Sequence, residues 1–89
     1  MPRISSFYGI VIKMYFDEVR HEGRSHFHAT YAGEEATVDI ESLELIAGKL
    51  PRRARNLVLE WAQAHQEELR RNWGLARDHK PPTPIDPLS

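Results

Sequence analysis

The sequence lacks cysteine altogether, and this absence excludes disulfides and thiolate metal ligands from its 89 residues. Any metal would have to be held by histidine or carboxylate side chains. No apolar run approaches the roughly 18 residues of a membrane span, and no apolar segment of signal-peptide length follows the first residues, so we expect a cytoplasmic protein. The sequence also lacks an excess of either charge, since 12 Lys and Arg residues stand against 13 Asp and Glu residues. Only a local basic patch could therefore attract nucleic acid.

The chain is long enough for one hydrophobic core only. We place a single domain at residues 1–79, followed by an extended tail at residues 80–89, which contains four prolines. Residues 7–16 predict one strand, because apolar residues recur there at every second position among β-branched and aromatic residues. Residues 17–25 are polar and predict a loop longer than a tight hairpin needs.

Residues 26–40 predict two further strands joined by a tight turn, since apolar and polar residues alternate on both sides of a glycine. A two-residue turn at 33–34 would place His28 opposite Asp39. A turn at 32–33 would change these partners but keep every side chain on its face. In either register, the histidines of this segment share a face with acidic residues.

The last third of the chain predicts a helix. Residues 41–49 indicate a short further strand or extended segment, and Pro51 then stands where a first helical turn favours proline. Apolar residues at three- and four-residue spacing predict one long amphipathic helix over residues 51–72, ending near Gly74. The stripe that would pack on the sheet consists of Leu57, Val58, Trp61 and Leu69.

These elements predict an α+β fold, in which an antiparallel meander of three or four strands packs against one long C-terminal helix. Such a sheet leaves an exposed edge strand. Proteins often cover an edge of this kind by forming a homodimer or by accepting a strand from a partner.

A series of motifs runs along nearly the whole chain: Phe7-Tyr8-Gly9-Ile10-Val11-Ile12, His26-Phe27-His28-Ala29, Asp39-Ile40-Glu41, Leu50-Pro51-Arg52-Arg53-Ala54 and Trp61-Ala62. Together they resemble a small bacterial family known only as a domain of unknown function, number forty-one-sixty. The resemblance implies a stand-alone protein, often encoded beside another small protein in an arrangement like that of toxin–antitoxin pairs. It therefore implies a small cognate protein as partner. Many relatives have a shorter loop ending in two prolines where this chain has Gly23-Arg24-Ser25.

His26 and His28 are the first candidates for a functional site. They leave the same face of a strand with Cα atoms about 7 Å apart, so both imidazoles could bind one divalent metal such as zinc, nickel or iron. Asp39 is the third ligand that we name. The residues that could supply a third ligand are His21, Glu22, Asp39 and Glu41.

Two other interpretations of His26 and His28 are open. The favoured one is structural: the rings pair with Asp39 and Glu41, or lie buried at the base of the loop, and the protein needs no cofactor and is not an enzyme. The alternative is a metal-independent ribonuclease, in which one imidazole takes the 2′-hydroxyl proton of RNA and the other imidazole, or a nearby carboxylate, protonates the leaving oxygen.

Arg24, Arg52, Arg53 and Arg55 are candidates for binding phosphate or a partner. The last three crowd the predicted start of the helix, where positive charge opposes the helix dipole. An RNA phosphate or an acidic partner surface would explain their position. A solvated cluster balanced by nearby glutamates is an equal alternative.

Trp61, Trp73 and Tyr31 could stack on bases, but the helical spacing of the two tryptophans favours a place in the core. His65 lies on the same stripe and is expected at the edge of the core. The predicted function is that of a protein-interaction component in a toxin–antitoxin-like two-gene module. The alternatives are the ribonuclease and a metal-binding domain.

Overall fold

The structure is a computed structural model that describes residues 3–15 and 24–89. It confirms the α+β class, but the prediction of three or four strands and one long helix is wrong. Five antiparallel strands lie side by side in chain order, followed by two helices. The predicted loop falls almost entirely outside the described residues. The elements are β1 Arg3–Phe7, β2 Ile10–Lys13, β3 His26–Tyr31, β4 Glu34–Asp39, β5 Leu45–Gly48, α1 Arg52–Ala64 and α2 Gln66–Arg77.

The first predicted strand is in fact the turn and second strand of a hairpin. Tyr8 and Gly9 both have positive φ, 50° and 81°, as the central residues of a type I′ turn require, and Phe7 pairs with Ile10. Tyrosine favours strands, so the run of aromatic and β-branched residues concealed this turn. The polar-looking segment before it, which the sequence pattern left unassigned, forms β1.

The second hairpin turns at residues 32–33, so the register based on a turn at 33–34 is wrong and the alternative register is confirmed. Ala32 and Gly33 carry the positive φ values of 51° and 83°. His28 consequently lies opposite Thr37, and His26 lies opposite Asp39. The faces are unchanged because both strands shift together.

The long helix is interrupted at His65, which has φ −120° and ψ 25°. Its N–H is shared between the carbonyl oxygens of Trp61 at 3.1 Å and Ala62 at 3.2 Å, and the Leu69 N–H donates to the His65 carbonyl at 3.0 Å. This shared hydrogen bond tightens one turn and separates α1 from α2. No glycine or proline marks the position, so the sequence pattern gave no signal. The second helix runs on to Arg77, past the predicted end.

The core lies between the helices and one face of the sheet, with Trp61 at its centre. The Trp61 ring is fully buried, and its centroid lies 5.5 Å from that of Phe7 and 5.8 Å from that of Phe27. Its Nε1–H donates to the Asp86 carbonyl at 2.8 Å. Each fully buried large apolar side chain contributes about 1.5–3 kcal/mol. Others in this core are Ile4, Ile10, Ile12, Met14, Val38, Ile40, Val58 and Leu69.

Residues 80–89, called the tail below, form neither helix nor strand. Asn72, which is buried in α2, holds the tail by two hydrogen bonds: its Nδ2–H donates to the Thr83 carbonyl and its Oδ1 accepts from the Thr83 N–H, both at 2.8 Å. Ile85 is buried, and its N–H donates to the Ile4 carbonyl at 2.8 Å. The tail therefore reaches the outer edge of β1.

Candidate functional site

The predicted histidine pair is buried in an aromatic cluster. His26 and His28 lie on the sheet face opposite to Phe27, because side chains alternate along β3. Their ring centroids are 5.3 Å apart, and the two residues are only 1% and 7% exposed. The His26 ring packs on Trp73 at 5.0 Å, and the His28 ring packs edge-on against Tyr15 at 4.5 Å. Trp73 belongs to α2, so the second helix reaches this face of the sheet.

Each histidine also has a polar contact through its Nδ1. The His26 Nδ1–H donates to the Arg24 carbonyl at 2.6 Å, and because a carbonyl can only accept, the neutral ring carries its proton on Nδ1. The His28 Nδ1 lies 3.1 Å from a carboxylate oxygen of Glu35 and 3.3 Å from the Thr37 hydroxyl. These contacts orient and hold the buried rings, but through the Arg24 carbonyl, Glu35 and Thr37, whereas the structural interpretation had named Asp39 and Glu41 as the partners.

Asp39 ties the cluster to the following turn. Its Oδ1 accepts from the backbone N–H groups of Glu41 at 2.8 Å and Ser42 at 2.9 Å, while its Oδ2 accepts from the Arg24 Nε and Nη2, both at 2.8 Å. Burial by itself raises the pKa of Asp39, but the N–H groups of Ser42 and Glu41 and the Arg24 guanidinium together hold it below its ordinary value. Both carboxylate oxygens are thus engaged, and the guanidinium of Arg24, 51% exposed, is held by this ion pair.

The proposed metal ligands His26, His28 and Asp39 therefore make contacts within the protein. Within residues 3–15 and 24–89, no group of three or more His, Cys, Asp or Glu side chains is placed to hold a metal. Glu41 is ion-paired with Arg70, whose Nε lies 3.0 Å from the Glu41 Oε2. The remaining candidate ligands, His21 and Glu22, fall outside the described residues.

The structure separates the helix-start arginines from the histidines. Arg52, Arg53 and Arg55 are exposed in the first turn of α1, and none forms an ion pair with another described residue. Arg53 lines a groove together with Tyr31, the last residue of β3, whereas His26 is the first. Five residues of strand span about 16 Å, and the two side chains lie on opposite faces. The arginines and histidines thus form two sites.

The aromatic residues that were candidates for base stacking also lie in different places. Trp61 is fully buried and cannot stack on a base, while Trp73 covers His26. His65 lies at the edge of the core as predicted, with its ring 5.5 Å from that of Trp61 and its Nδ1 2.6 Å from the Glu68 Oε1. Tyr31 alone faces a groove.

This groove, called the α1 groove below, has a volume of about 520 Å³ and lies between α1 and the ends of the two hairpins. Sequence reasoning identified Arg53 and Tyr31 but missed the other lining residues. The available signal was the spacing of Arg53, Leu57 and Glu60, which lie on one face of a helix. The lining residues are Tyr8, Tyr31, Arg53, Ala54, Leu57, Glu60, Leu88 and Ser89.

No helix among the described residues is long and apolar enough to cross a membrane.

Comparisons with known proteins give a family and no function. Searches against curated proteins and against solved structures find no significant match. A family model does match, over residues 9–74, a span that includes both histidines and the start of α1 but neither β1 nor the tail. The chain therefore belongs to the family described as Domain of unknown function (DUF4160).

Proposed function

We propose that this chain is a protein-interaction component that binds its partner by accepting a strand at the outer edge of β5. The observation that carries the proposal is that the two edges of the sheet differ. At the β1 edge, the Ile85 N–H of the tail already donates to the Ile4 carbonyl. At the β5 edge, only β4 hydrogen-bonds to the β5 backbone among residues 3–15 and 24–89. An edge strand of this kind is a template for a further strand.

The outward direction of the free backbone groups follows from the bonds that β5 makes. The Lys49 N–H donates to the Glu35 carbonyl at 3.3 Å, so the backbone of Lys49 faces β4. Successive residues of an antiparallel edge strand alternate between facing their neighbour and facing away. Gly48 has φ +71° and departs from the extended form, but its C=O shares a trans peptide plane with the Lys49 N–H and therefore points away from β4, to the side where a partner strand would pair.

The other end of β5 is arranged similarly. The Asp39 N–H donates to the Glu44 carbonyl at 2.9 Å, and the next residue, Leu45, consequently turns its backbone groups outward. The side chains add apolar surface. Leu45 packs on the core. Ile46 is half-buried, but it is not among the described residues that pack against the core. A pairing strand would cover Ile46.

The histidine face suits this role less well than the β5 edge. His26 and His28 are almost fully buried against Trp73 and Tyr15, so neither presents its ring to a macromolecule. The same burial, together with the distance to the helix-start arginines, leaves a ribonuclease or metal-site interpretation without a supporting observation. The family resemblance supports a small protein encoded alongside as the partner, in a module like a toxin–antitoxin pair.

Co-expression with the product of the neighbouring gene tests the proposal. The full chain carries an affinity tag, and the partner is measured in the purified complex. Ile46→Lys places a charge on the β5 edge, which opposes strand addition. Val11→Lys is the matched control, because Val11 is also a half-buried, β-branched strand residue, but it lies in a central strand.

We expect the unaltered chain and Val11→Lys to retain the partner and Ile46→Lys to lose it. Retention of the complex by Ile46→Lys, or failure of the unaltered chain to form one, contradicts the proposal. Size-exclusion chromatography of the chain alone identifies self-association. A homodimer that dissociates on Ile46→Lys would show that the edge pairs two copies of this chain instead of a partner strand.

A further inference from the structure

The α1 groove lies apart from the β5 edge and has the properties of a small-molecule site. Its volume of about 520 Å³ falls in the range of roughly 300–1,000 Å³ that is typical of such sites. Five of its eight lining residues are apolar or aromatic, and the remaining three are Arg53, Glu60 and Ser89. Mostly apolar walls with a few polar groups are the usual composition of a ligand pocket.

The charges in the groove are arranged in order along one wall. Arg53, Leu57 and Glu60 follow one another at spacings of four and three residues and so lie on the same side of α1. Seven residues of helix place Arg53 and Glu60 about 10.5 Å apart along the axis. The groove is therefore positive at one end, apolar in the middle and negative at the other end.

The positive end is reinforced by its surroundings. Arg52 and Arg55 flank Arg53, the first turn of α1 contains no acidic residue, and no side chain caps it. Neither Arg53 nor its two neighbours is ion-paired with another described residue. A ligand with a phosphate group at this end would receive a charge-assisted, two-pronged contact from a guanidinium.

The opposite wall of the groove is aromatic. Tyr8 occupies the β1–β2 turn and is 61% exposed, and Tyr31 ends β3 beside it. The Tyr31 ring packs on the turn at Gly9, where a Cβ would be in ordinary van der Waals contact with the ring at 3.4 Å. Two tyrosines facing Leu57 across a groove form a surface on which a planar base can stack.

Glu60 determines which base fits. A carboxylate only accepts hydrogen bonds, and it presents two parallel oxygens. Guanine offers two adjacent N–H donors on its pairing edge, whereas uracil offers one donor flanked by two carbonyl acceptors that a carboxylate repels. From these observations we propose that the α1 groove binds a guanine nucleotide unit, with its phosphate on Arg53, its base against Tyr8 and Tyr31, and the donor edge of the base on Glu60.

The unit could be a free nucleotide or one residue of a single-stranded RNA, since the groove is open to solvent. Calorimetric titration of the full chain with GMP, UMP and guanosine tests the chemistry, and tetranucleotides of guanosine and uridine test the strand as a source. We expect GMP to bind about tenfold more tightly than UMP, because one two-pronged base contact discriminates by about that factor. Guanosine, which has no phosphate, binds more weakly than GMP.

Two variants and a matched control locate the binding. Arg53→Gln should weaken GMP binding about tenfold through loss of a charge-assisted contact. Arg55→Gln should leave it unchanged, because Arg55 has the same charge in the same helical turn but does not line the groove. Glu60→Gln should reduce the preference for GMP over UMP. All three positions are exposed, so the variants should remain folded.

The possible outcomes are distinct. Binding by oligonucleotide alone, with the same dependence on Arg53 and Glu60, supports the site and shows that its source is a strand. Equal losses for Arg53→Gln and Arg55→Gln indicate unspecific attraction to positive charge and overturn the proposal. The proposal is also overturned if neither GMP nor either oligonucleotide binds. Binding of a glutamate-rich peptide in the absence of any nucleotide binding would overturn it too. Ile46→Lys should not alter nucleotide binding, which separates this test from that of the partner edge.

Discussion

Asp39 joins the histidine cluster to the turn that follows β4, and its replacement should be among the more costly changes to a polar residue. Asp39→Ala removes two hydrogen bonds to the backbone N–H groups of Glu41 and Ser42, each worth about 1 kcal/mol. It also removes the ion pair with Arg24, which adds about 0–1 kcal/mol because that guanidinium is half exposed. We expect a loss of about 2–3 kcal/mol, which lowers Tm by roughly 8–24 °C in a domain of this size.

Asp39→Asn separates the two contributions. The asparagine keeps an oxygen that can accept from Glu41 and Ser42, and it loses only the ion pair with Arg24. Its cost should be about 1 kcal/mol or less. Arg24→Gln should cost the same, since it removes the ion pair from the other side. Urea unfolding followed by circular dichroism measures all three variants against the unaltered chain.

The effect of Asp39 should also depend on pH in a definite direction. Its pKa is below the ordinary value of about 3.9, so its charged form is favoured in the folded state. The resulting stability is fully present above the unfolded-state pKa and is lost as pH falls through the folded-state pKa. The difference between the unaltered chain and Asp39→Asn should be constant above the unfolded-state pKa and shrink as pH falls through the lower folded-state pKa. A difference that grows on acidification, or an Asp39→Asn cost equal to that of Asp39→Ala, would refute this reasoning.

Two further predictions concern single positions. Asn72→Ala should lower stability by about 2–4 kcal/mol in thermal unfolding, because it removes two hydrogen bonds and an otherwise buried side chain, while Thr83→Ala should be nearly neutral since only the Thr83 backbone takes part. Equal effects of the two would contradict the proposed attachment of the tail. Gly48→Ala should cost more than about 2 kcal/mol, because φ is +71° and the new Cβ would clash with the Glu35 carbonyl oxygen. Gly33→Ala, with φ +83° but open space, should cost only about 1 kcal/mol, and a larger loss there than at Gly48 would show that the clash is unimportant.

Sequence patterns predicted the parts of this fold that depend on local alternation. The faces of β3 and β4, the burial of Trp61 and the start of α1 all follow from periods of two or of three to four residues, which any short stretch of chain displays. The two tight turns were harder, because Tyr8 and Ala32 adopt positive φ values that their side chains disfavour. Only the adjacent glycines marked these turns, and they left the register open at the second one.

The candidate sites show the same limit. The sequence predicted that His26 and His28 share a face, but not that Trp73 and Tyr15 cover them, since those contacts join residues far apart in the chain. It placed Arg53 at a helix start without showing that Tyr8 forms the wall opposite.

By itself, the sequence determined the α+β class, the faces of the strands and the membership of the family. Hydrophobic periodicity fixes these features because burial of apolar side chains requires them in whatever arrangement the elements take. The tertiary structure alone decided which edge of the sheet the tail contacts, and it placed the histidines and the helix-start arginines in two separate sites. Those outcomes depend on how the tail packs at β1 and how the helices cross the sheet, and packing of distant segments leaves no mark in a local pattern.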